Sequence, residues 1–120
     1  MLLEKARLRL ERVTAEEAAA EHRAGALLVD TRTAEQRSRD GGIPGALRIE
    51  RTVLEWRLDP SSPSCIAEAK DHAVRVIVIC AEGFSSSLAA ASLQDLGLIN
   101  ATDVIGGFEA WKAAGLPIEG

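Results

Sequence analysis

The sequence predicts a single α/β domain with a mostly parallel sheet and helices on both faces. Two short apolar runs, at residues 26–29 and 75–79, are typical of strands buried on both sides. Helical segments separate these runs along the chain, and strands that alternate with helices favour a parallel sheet. The length of 120 residues suits one such domain and is too short for two.

The helices are predicted from their start and stop signals. Residues 1–12 alternate leucine with charged residues, which predicts an N-terminal arm or short helix ahead of a domain at residues 13–120. The string from Thr14 to Glu17 has the form of a capping box and opens a helix that Gly25 ends. Further helices are expected at 52–58, 85–98 and 108–114. We expect Trp56, on the first of these, to pack against the sheet.

Two more strands are predicted at 46–49 and 103–105, and residues 59–64, with two prolines and three serines, are expected to form a loop. In parallel sheets, ligands bind outside the carboxyl ends of the strands. Cys80 directly follows the apolar run 75–79, so it lies where a site is expected.

Charge and cysteine content limit the function classes. The net charge of −4 and pI near 5.2 give no general basic field, which argues against a nucleic acid or an anionic membrane as the main partner. The sequence has no apolar run of about 20 residues and starts with a charged segment, so we expect a cytoplasmic protein. The chain has two cysteines with no repeated spacing, which argues against a secreted protein held together by disulfides.

The segment from Cys80 to Ser87 (CAEGFSSS) is the strongest functional signal. Gly83 allows the loop to curl and direct successive N–H groups inward, and the following helix adds its free N–H groups and positive dipole end. A sulfur at the centre is then favoured as a thiolate, which makes Cys80 a nucleophile near neutral pH. The alternative is that Cys80 only ends a buried strand, and the carboxylate of Glu82 opposes ionisation.

Three patches of the sequence carry a resemblance to the rhodanese family, over about residues 13–117. The first is Val29 to Arg32 (VDTR) with 42–46 (GIPGA), similar to the family's Asp-x-Arg and Gly-His-Ile-x-Gly-Ala signature. The second is the cysteine loop, similar to the six-residue loops of single-domain members. The third is 106–111 (GGFEAW) with 114–117 (AGLP), which resembles the family's carboxyl-terminal pattern.

The resemblance implies a single rhodanese domain with a mostly parallel five-stranded sheet. It also implies a sulfurtransferase in which Cys80 takes a sulfane sulfur from thiosulfate or a persulfide donor, becomes a persulfide and passes the sulfur to a thiol or protein acceptor. No metal or organic cofactor is implied. Asp30 and Arg32 are expected to support the loop and helix rather than touch substrate, and Gly106 and Gly107 to serve a strand-to-helix turn. The loop residues expected to form the anion cradle are Ala81, Glu82, Gly83, Phe84, Ser85 and Ser86.

The sequence departs from the family pattern in two places. Gly42 stands where the family usually has His. Many members that use thiosulfate carry Arg or Lys in the active loop, whereas this loop has Ala81, Glu82 and Ser85. A protein-bound or small-molecule persulfide would suit this uncharged, slightly acidic mouth better than thiosulfate.

Other interpretations stay open at this point. A rhodanese-like module could bind a partner or sense oxidants through Cys80 without sulfur transfer. A cysteine phosphatase loop needs Arg six positions after the cysteine, where this chain has Ser86. Cys65 could resolve an oxidised Cys80 as a disulfide. A zinc site is disfavoured because no two Cys or His residues lie at ligand spacing.

Overall fold

The structure is a computed structural model, and it describes residues 2–119; Met1 and Gly120, the outer ends of the predicted arm and domain, lie outside this part. The helices are α1 (Leu2–Leu8), α2 (Ala15–Arg23), α3 (Ala34–Asp40), α4 (Leu54–Leu58), α5 (Ser85–Asp95) and α6 (Gly107–Ala113), with a 3-10 turn at Arg51–Val53. The strands are β1 (Leu27–Asp30), β2 (Leu47–Arg48), β3 (Val76–Ile79) and β4 (Thr102–Asp103).

The strands form one parallel sheet in the order β2-β1-β3-β4. The predicted α/β class with a parallel sheet is confirmed, although the sheet has four strands within residues 2–119 rather than five. A single bridge between Val13 and Val104 extends it beyond β4. This extension stops at one residue because the capping box at Thr14 starts α2 immediately afterwards.

Alternate residues of a strand point to opposite faces of the sheet. Because the residues of β3 are apolar on both faces, helices must cover both. Val76 and Val78 pack with Leu54, Leu58 and apolar residues of α5 in one core cluster. Their neighbours Ile77 and Ile79 belong to a second cluster, with alanines of α2 and with Phe108 and Trp111 of α6. The central strand β3 is fully buried and therefore holds the residue that follows it in a fixed position.

Several local predictions differ from the structure. The strands expected at 46–49 and 103–105 are shorter, at Leu47–Arg48 and Thr102–Asp103. Helix α3 was not predicted, although Thr33 and Gln36 form a capping box at its start. Helix α5 ends at Asp95, three residues early. The expectation for Trp56 is wrong because its side chain is 56% exposed: Leu54 and Leu58, one turn apart, occupy the buried face of α4, and Trp56 lies between them on the opposite face.

The sheet has a topological switch point between β1 and β3. The chain passes from β1 outward to β2, then returns to the other side of β1 for β3 and continues to β4. The loops after β1 and β3 therefore diverge and leave a crevice at the carboxyl edge, which is the usual ligand position in such sheets. Cys80 and Thr31 lie at this edge. Over residues 2–119, none of the helices has the length and apolar character needed to span a bilayer.

Candidate active site

The sulfur of Cys80 lies inside the turn between β3 and α5. The backbone N–H groups of Gly83 and Ser86 donate to Sγ at 3.2 and 3.4 Å. Gly83 has a φ of +88°, which residues with a side chain rarely adopt. This conformation allows the loop to turn its N–H groups inward. Because Cys80 is only 6% exposed, protein donors replace most of the water around its sulfur.

The turn before α6 packs directly on this loop. The N–H of Phe108 donates to the Cys80 carbonyl at 2.7 Å, and the N–H of Glu109 donates to the Ala81 carbonyl at 3.1 Å. Gly107 has a φ of +58°, and a Cβ at this position would overlap the backbone of the cysteine loop. The glycine pair of the carboxyl-terminal pattern thus forms the turn at the start of α6 and lets it contact the cysteine loop.

A buried carboxylate anchors the start of α5 from below. Asp103, at the end of β4, is fully buried and accepts hydrogen bonds from the hydroxyl groups of Ser86 and Ser87, each at 2.8 Å. Arg12 pairs with the same carboxylate through Nε at 2.9 Å and Nη2 at 3.1 Å. Arg12 holds Asp103, and Asp103 holds the side chain of Ser86. These contacts fix the position of the Ser86 N–H group.

Two arginines from the N-terminal segment reach the loop itself. Arg7 Nη2 and Arg12 Nη2 donate to the carbonyl oxygen of Gly83 at 2.9 and 3.1 Å. Arg7 also donates through Nε to Ser87 Oγ at 3.1 Å, and its guanidinium lies 5.8 Å from the ring centroid of Phe84. The segment predicted as an N-terminal arm or short helix thus contacts the cysteine loop directly.

The surroundings of Cys80 lower the pKa of its thiol. Burial by itself raises this pKa, but the hydroxyl groups of Ser86 and Ser85 and the backbone N–H groups of Ser86 and Gly83 outweigh it and hold the pKa below its ordinary value. Because the Ser86 hydroxyl donates to Asp103, we assign the direct hydrogen bonds to the two N–H groups. The geometry favours a thiolate without any cationic side chain in the loop.

An open cavity of about 270 Å³ lies above the sulfur. Cys80 and its loop form one wall, and Thr31, Arg32 and Gln36 form the other. At the mouth, Glu82 is exposed and Phe84 is 55% exposed. A small molecule or the tip of a protein chain can therefore reach Cys80 across an apolar and slightly acidic rim.

Asp30 and Arg32 form a buried ion pair at the edge of this cavity. Arg32 donates to the Asp30 carboxylate through Nε at 3.1 Å and Nη2 at 2.8 Å, and both side chains are 1% exposed. Arg32 Nη2 also donates to the Gly41 carbonyl at 2.8 Å, and the guanidinium stacks 3.8 Å from the ring centroid of Phe108. The pair therefore ties the β1 edge to the end of α3 and to α6.

The structure brings most of the predicted site residues together. Gly83 and Ser86 contact the sulfur, while Ala81, Glu82, Phe84 and Ser85 line the cavity. Cys65 does not line this cavity and packs against the core cluster of α4 and α5. Gly42 also lies elsewhere, in a bridge with Glu119 near the carboxyl end.

Sequence reasoning missed Asp103, Arg7 and Arg12. Asp103 was predicted only as part of a strand, and the two arginines only as part of an N-terminal arm or short helix. A carboxylate in an otherwise apolar strand was the available signal, because a buried carboxylate needs partners. No comparable local signal marked the arginines.

Comparison with known proteins agrees with the resemblance to the rhodanese family. Residues 14–114 match the family model described as "Rhodanese-like domain", so Arg7 and Arg12 precede the matched segment. Over 94 residues the chain is 37% identical to "Thiosulfate sulfurtransferase GlpE" of Actinobacillus succinogenes, covering 78% of this chain and 76% of the relative. The protein of that name from Pseudomonas savastanoi is 35% identical over 103 residues, covering 86% and 88% of the two chains.

A solved structure extends the similarity over nearly the whole chain. A Rhodopseudomonas palustris protein, described as of unknown function and a possible tyrosine phosphatase, superposes with a TM-score of 0.88 at 37% identity. The match covers 98% of this chain and 91% of that one.

Proposed function

The chain belongs to the rhodanese-like domain family, and on that premise we propose that it transfers a sulfane sulfur through a persulfide on Cys80. The observation that carries this proposal is the pair of N–H groups that donate to Sγ at 3.2 and 3.4 Å beneath an accessible cavity. A centre of this kind stabilises the thiolate before reaction, and the same donors can serve a sulfur anion afterwards.

The reaction has two balanced steps. The Cys80 thiolate attacks the outer sulfur of a donor persulfide, a new S–S bond forms, and the donor thiolate leaves with the electrons of the broken S–S bond. With thiosulfate the leaving group is sulfite. An acceptor thiolate then attacks the terminal sulfur on Cys80, which releases the acceptor persulfide and restores the Cys80 thiolate. No external oxidant or reductant is needed.

We assign a persulfide, small or protein-bound, as the preferred donor. Thiosulfate carries its two charges on a small ion that must enter the mouth whole, where Glu82 repels it and no loop residue is basic. In glutathione persulfide the carboxylates lie several bonds from the reacting sulfur, so they can remain in solvent. The exposed ring of Phe84 also offers apolar contact to a larger donor.

The test is to incubate the protein separately with glutathione persulfide and thiosulfate and to read Cys80 by intact and peptide mass spectrometry. We expect one added sulfur on Cys80, faster from glutathione persulfide, and its loss after a thiol acceptor is added. Cys80→Ser should take up no transferable sulfur, and Cys65→Ser should behave like the unmodified sequence. Faster loading from thiosulfate would overturn the donor assignment.

If neither donor modifies Cys80, sulfur transfer is refuted and a partner-binding or redox-sensing module becomes the better account. An aryl phosphate ester should give no turnover, because Ser86 occupies the position where a cysteine phosphatase carries its phosphate-binding Arg. Turnover of the ester would replace the sulfurtransferase proposal with a phosphatase.

The role of Glu82 can be tested by charge removal. Glu82→Gln should raise loading from thiosulfate about threefold, the gain expected when one like charge is removed at partly screened distance. Glu109→Gln is the matched control, because Glu109 is also exposed near the loop but does not line the cavity. Equal effects of the two variants would mean that general charge, rather than the mouth, sets the donor preference.

A further inference from the structure

The cysteine loop has no cationic side chain of its own, but two arginines of the N-terminal segment contact it. Arg7 in α1 and Arg12 just after it both donate to the Gly83 carbonyl, and both precede the segment that defines the family. Ser87 Oγ lies 3.3 Å from this oxygen, but its single proton is donated to Asp103 at 2.8 Å. Two guanidinium donors from the N-terminal segment therefore converge on one carbonyl of the active loop.

We propose that Arg7 and Arg12 are positioning residues for the sulfur-transfer reaction proposed above, which hold the loop in the form that stabilises a sulfur anion on Cys80. They act through the loop backbone and not by contact with the donor. On this account, the N-terminal segment is part of the active site rather than an appendage of the domain.

The geometry of the peptide bond explains how this works. In a trans peptide the C=O and N–H groups point in opposite directions. When the arginines hold the Gly83 carbonyl on their side, the N–H of Phe84 in the same peptide unit must point away from them. Rotation of that peptide would change ψ of Gly83, the residue whose own N–H donates to Sγ. Fixing one carbonyl thus limits the rotation of the whole turn.

Arg12 fixes the other donor as well. Its guanidinium pairs with Asp103, whose carboxylate accepts from the hydroxyl of Ser86. Because the Ser86 N–H donates to Sγ, both direct donors to the sulfur connect to Arg12, one through Gly83 and one through Asp103. Such preorganised donors are worth more than donors that must reorient during reaction.

The charges beneath the loop also favour the anion. Arg7 and Arg12 contribute two positive charges and Asp103 one negative charge, so one positive charge remains on this side. Asp30 and Arg32 cancel as a pair at the cavity edge. The other charged groups on α1, the loop, α5 and α6 are all exposed: Glu4, Lys5, Glu82, Asp95, Glu109 and Lys112. The site therefore combines internal stabilisation of the sulfur with a mouth that lacks cationic loop side chains.

The test measures thiolate reactivity without any sulfur donor. In a Cys65→Ser background, Arg7→Gln, Arg12→Gln and the control Arg9→Gln are treated with iodoacetamide across a pH series, and alkylation of Cys80 is followed by mass spectrometry. Arg9 is in the same segment, but it pairs with Asp95 on the exposed surface. The three variants thus lose the same charge, and only two of them lose a loop contact.

We expect Arg7→Gln and Arg12→Gln to slow alkylation near pH 6.5 at least about threefold, to move the midpoint of the pH profile upward and to preserve the alkaline plateau. Arg9→Gln should leave the profile unchanged. Arg7→Lys, which keeps the charge, should recover part of the effect. If Arg7→Gln lowers the melting temperature but leaves the pH profile in place, the arginines are merely structural and the inference is overturned.

The alkylation test still decides the role of the arginines if one variant does not fold or if the protein transfers no sulfur. Arg12→Gln leaves Asp103 buried without its cation, so if this variant does not fold, Arg7→Gln alone decides. Alkylation is also independent of sulfur transfer. Shifted profiles in a protein that accepts no sulfur would support the arrangement of the loop and refute the proposed function, whereas sulfur transfer with unshifted profiles would refute only the role of the arginines.

Discussion

Replacing Arg32 by Met should destabilise the domain by several kcal/mol. The substitution removes the three side-chain hydrogen bonds from Arg32 to Asp30 and the one to the Gly41 carbonyl. Asp30, 1% exposed, then keeps only the hydrogen bond from the backbone N–H of residue 32, at 3.0 Å. Breaking a buried pair in this way costs about 3–5 kcal/mol, and we expect roughly 4 kcal/mol because methionine can still pack on Phe108.

The assay is urea unfolding followed by tryptophan fluorescence, since Trp111 is 2% exposed and reports on the core around α6. For a domain of this size, the same loss corresponds to a melting temperature about 16 °C lower. The double variant Asp30→Asn with Arg32→Met removes the uncompensated charge and should recover about 1–2 kcal/mol.

A cost of Arg32→Met below about 1 kcal/mol would refute this reasoning, because the pair would then not be desolvated as the structure indicates. A double variant no more stable than the single one would also contradict it. Below its melting temperature, Arg32→Met should still load sulfur on Cys80, as expected of a supporting residue.

Two further predictions concern the loop. Gly83→Ala should slow alkylation of Cys80 and lower stability by about 2 kcal/mol or more, because φ is +88° and the new Cβ would lie 2.8 Å from the Gly106 nitrogen. The control Gly115→Ala, with a φ of +71° and open space, should show the backbone strain alone and leave alkylation unchanged. Because the folded state lowers the pKa of Cys80, the alkylation midpoint should lie at lower pH in the native protein than in urea. Between the folded and the unfolded pKa of Cys80, unfolding takes up a proton. The free energy of unfolding should therefore rise with pH over this range and fall as the pH drops through the folded pKa. Cys80→Ser should abolish this pH dependence.

The positions of the acidic and basic groups explain why we expect the site to prefer a persulfide donor to thiosulfate. The loop carries no Arg or Lys, yet Arg7 and Arg12 donate to its Gly83 carbonyl, and Glu82 lines the cavity that leads to the sulfur. Stabilisation of the anion and attraction of an anionic substrate are thereby separated. This separation is why we expect the protein to form a persulfide efficiently and to use thiosulfate poorly.

Much of the fold could be predicted because its signals are local. The apolar run that became β3, the capping box at Thr14 and the glycines at 83 and 107 each act within a few residues, through burial, capping or backbone freedom. The same signals placed Cys80 at the carboxyl end of a buried strand. Short elements were harder to predict: α3 has no apolar residue after Ala34, and the two-residue strand β4 carries Asp103 inside the sheet.

The sequence by itself determined the α/β class, the position of Cys80 and the shape of its loop, because residues close in the chain dictate them. Only the tertiary structure decided which charges lie around that loop. Arg7 and Arg12 reach Gly83 across 76 and 71 residues, and Arg12 reaches Asp103 across 91. An arginine on a charged N-terminal segment has the same local pattern whether it faces solvent or a distant carbonyl, so its partner is fixed only when α1 packs on α5 and the loop comes within reach.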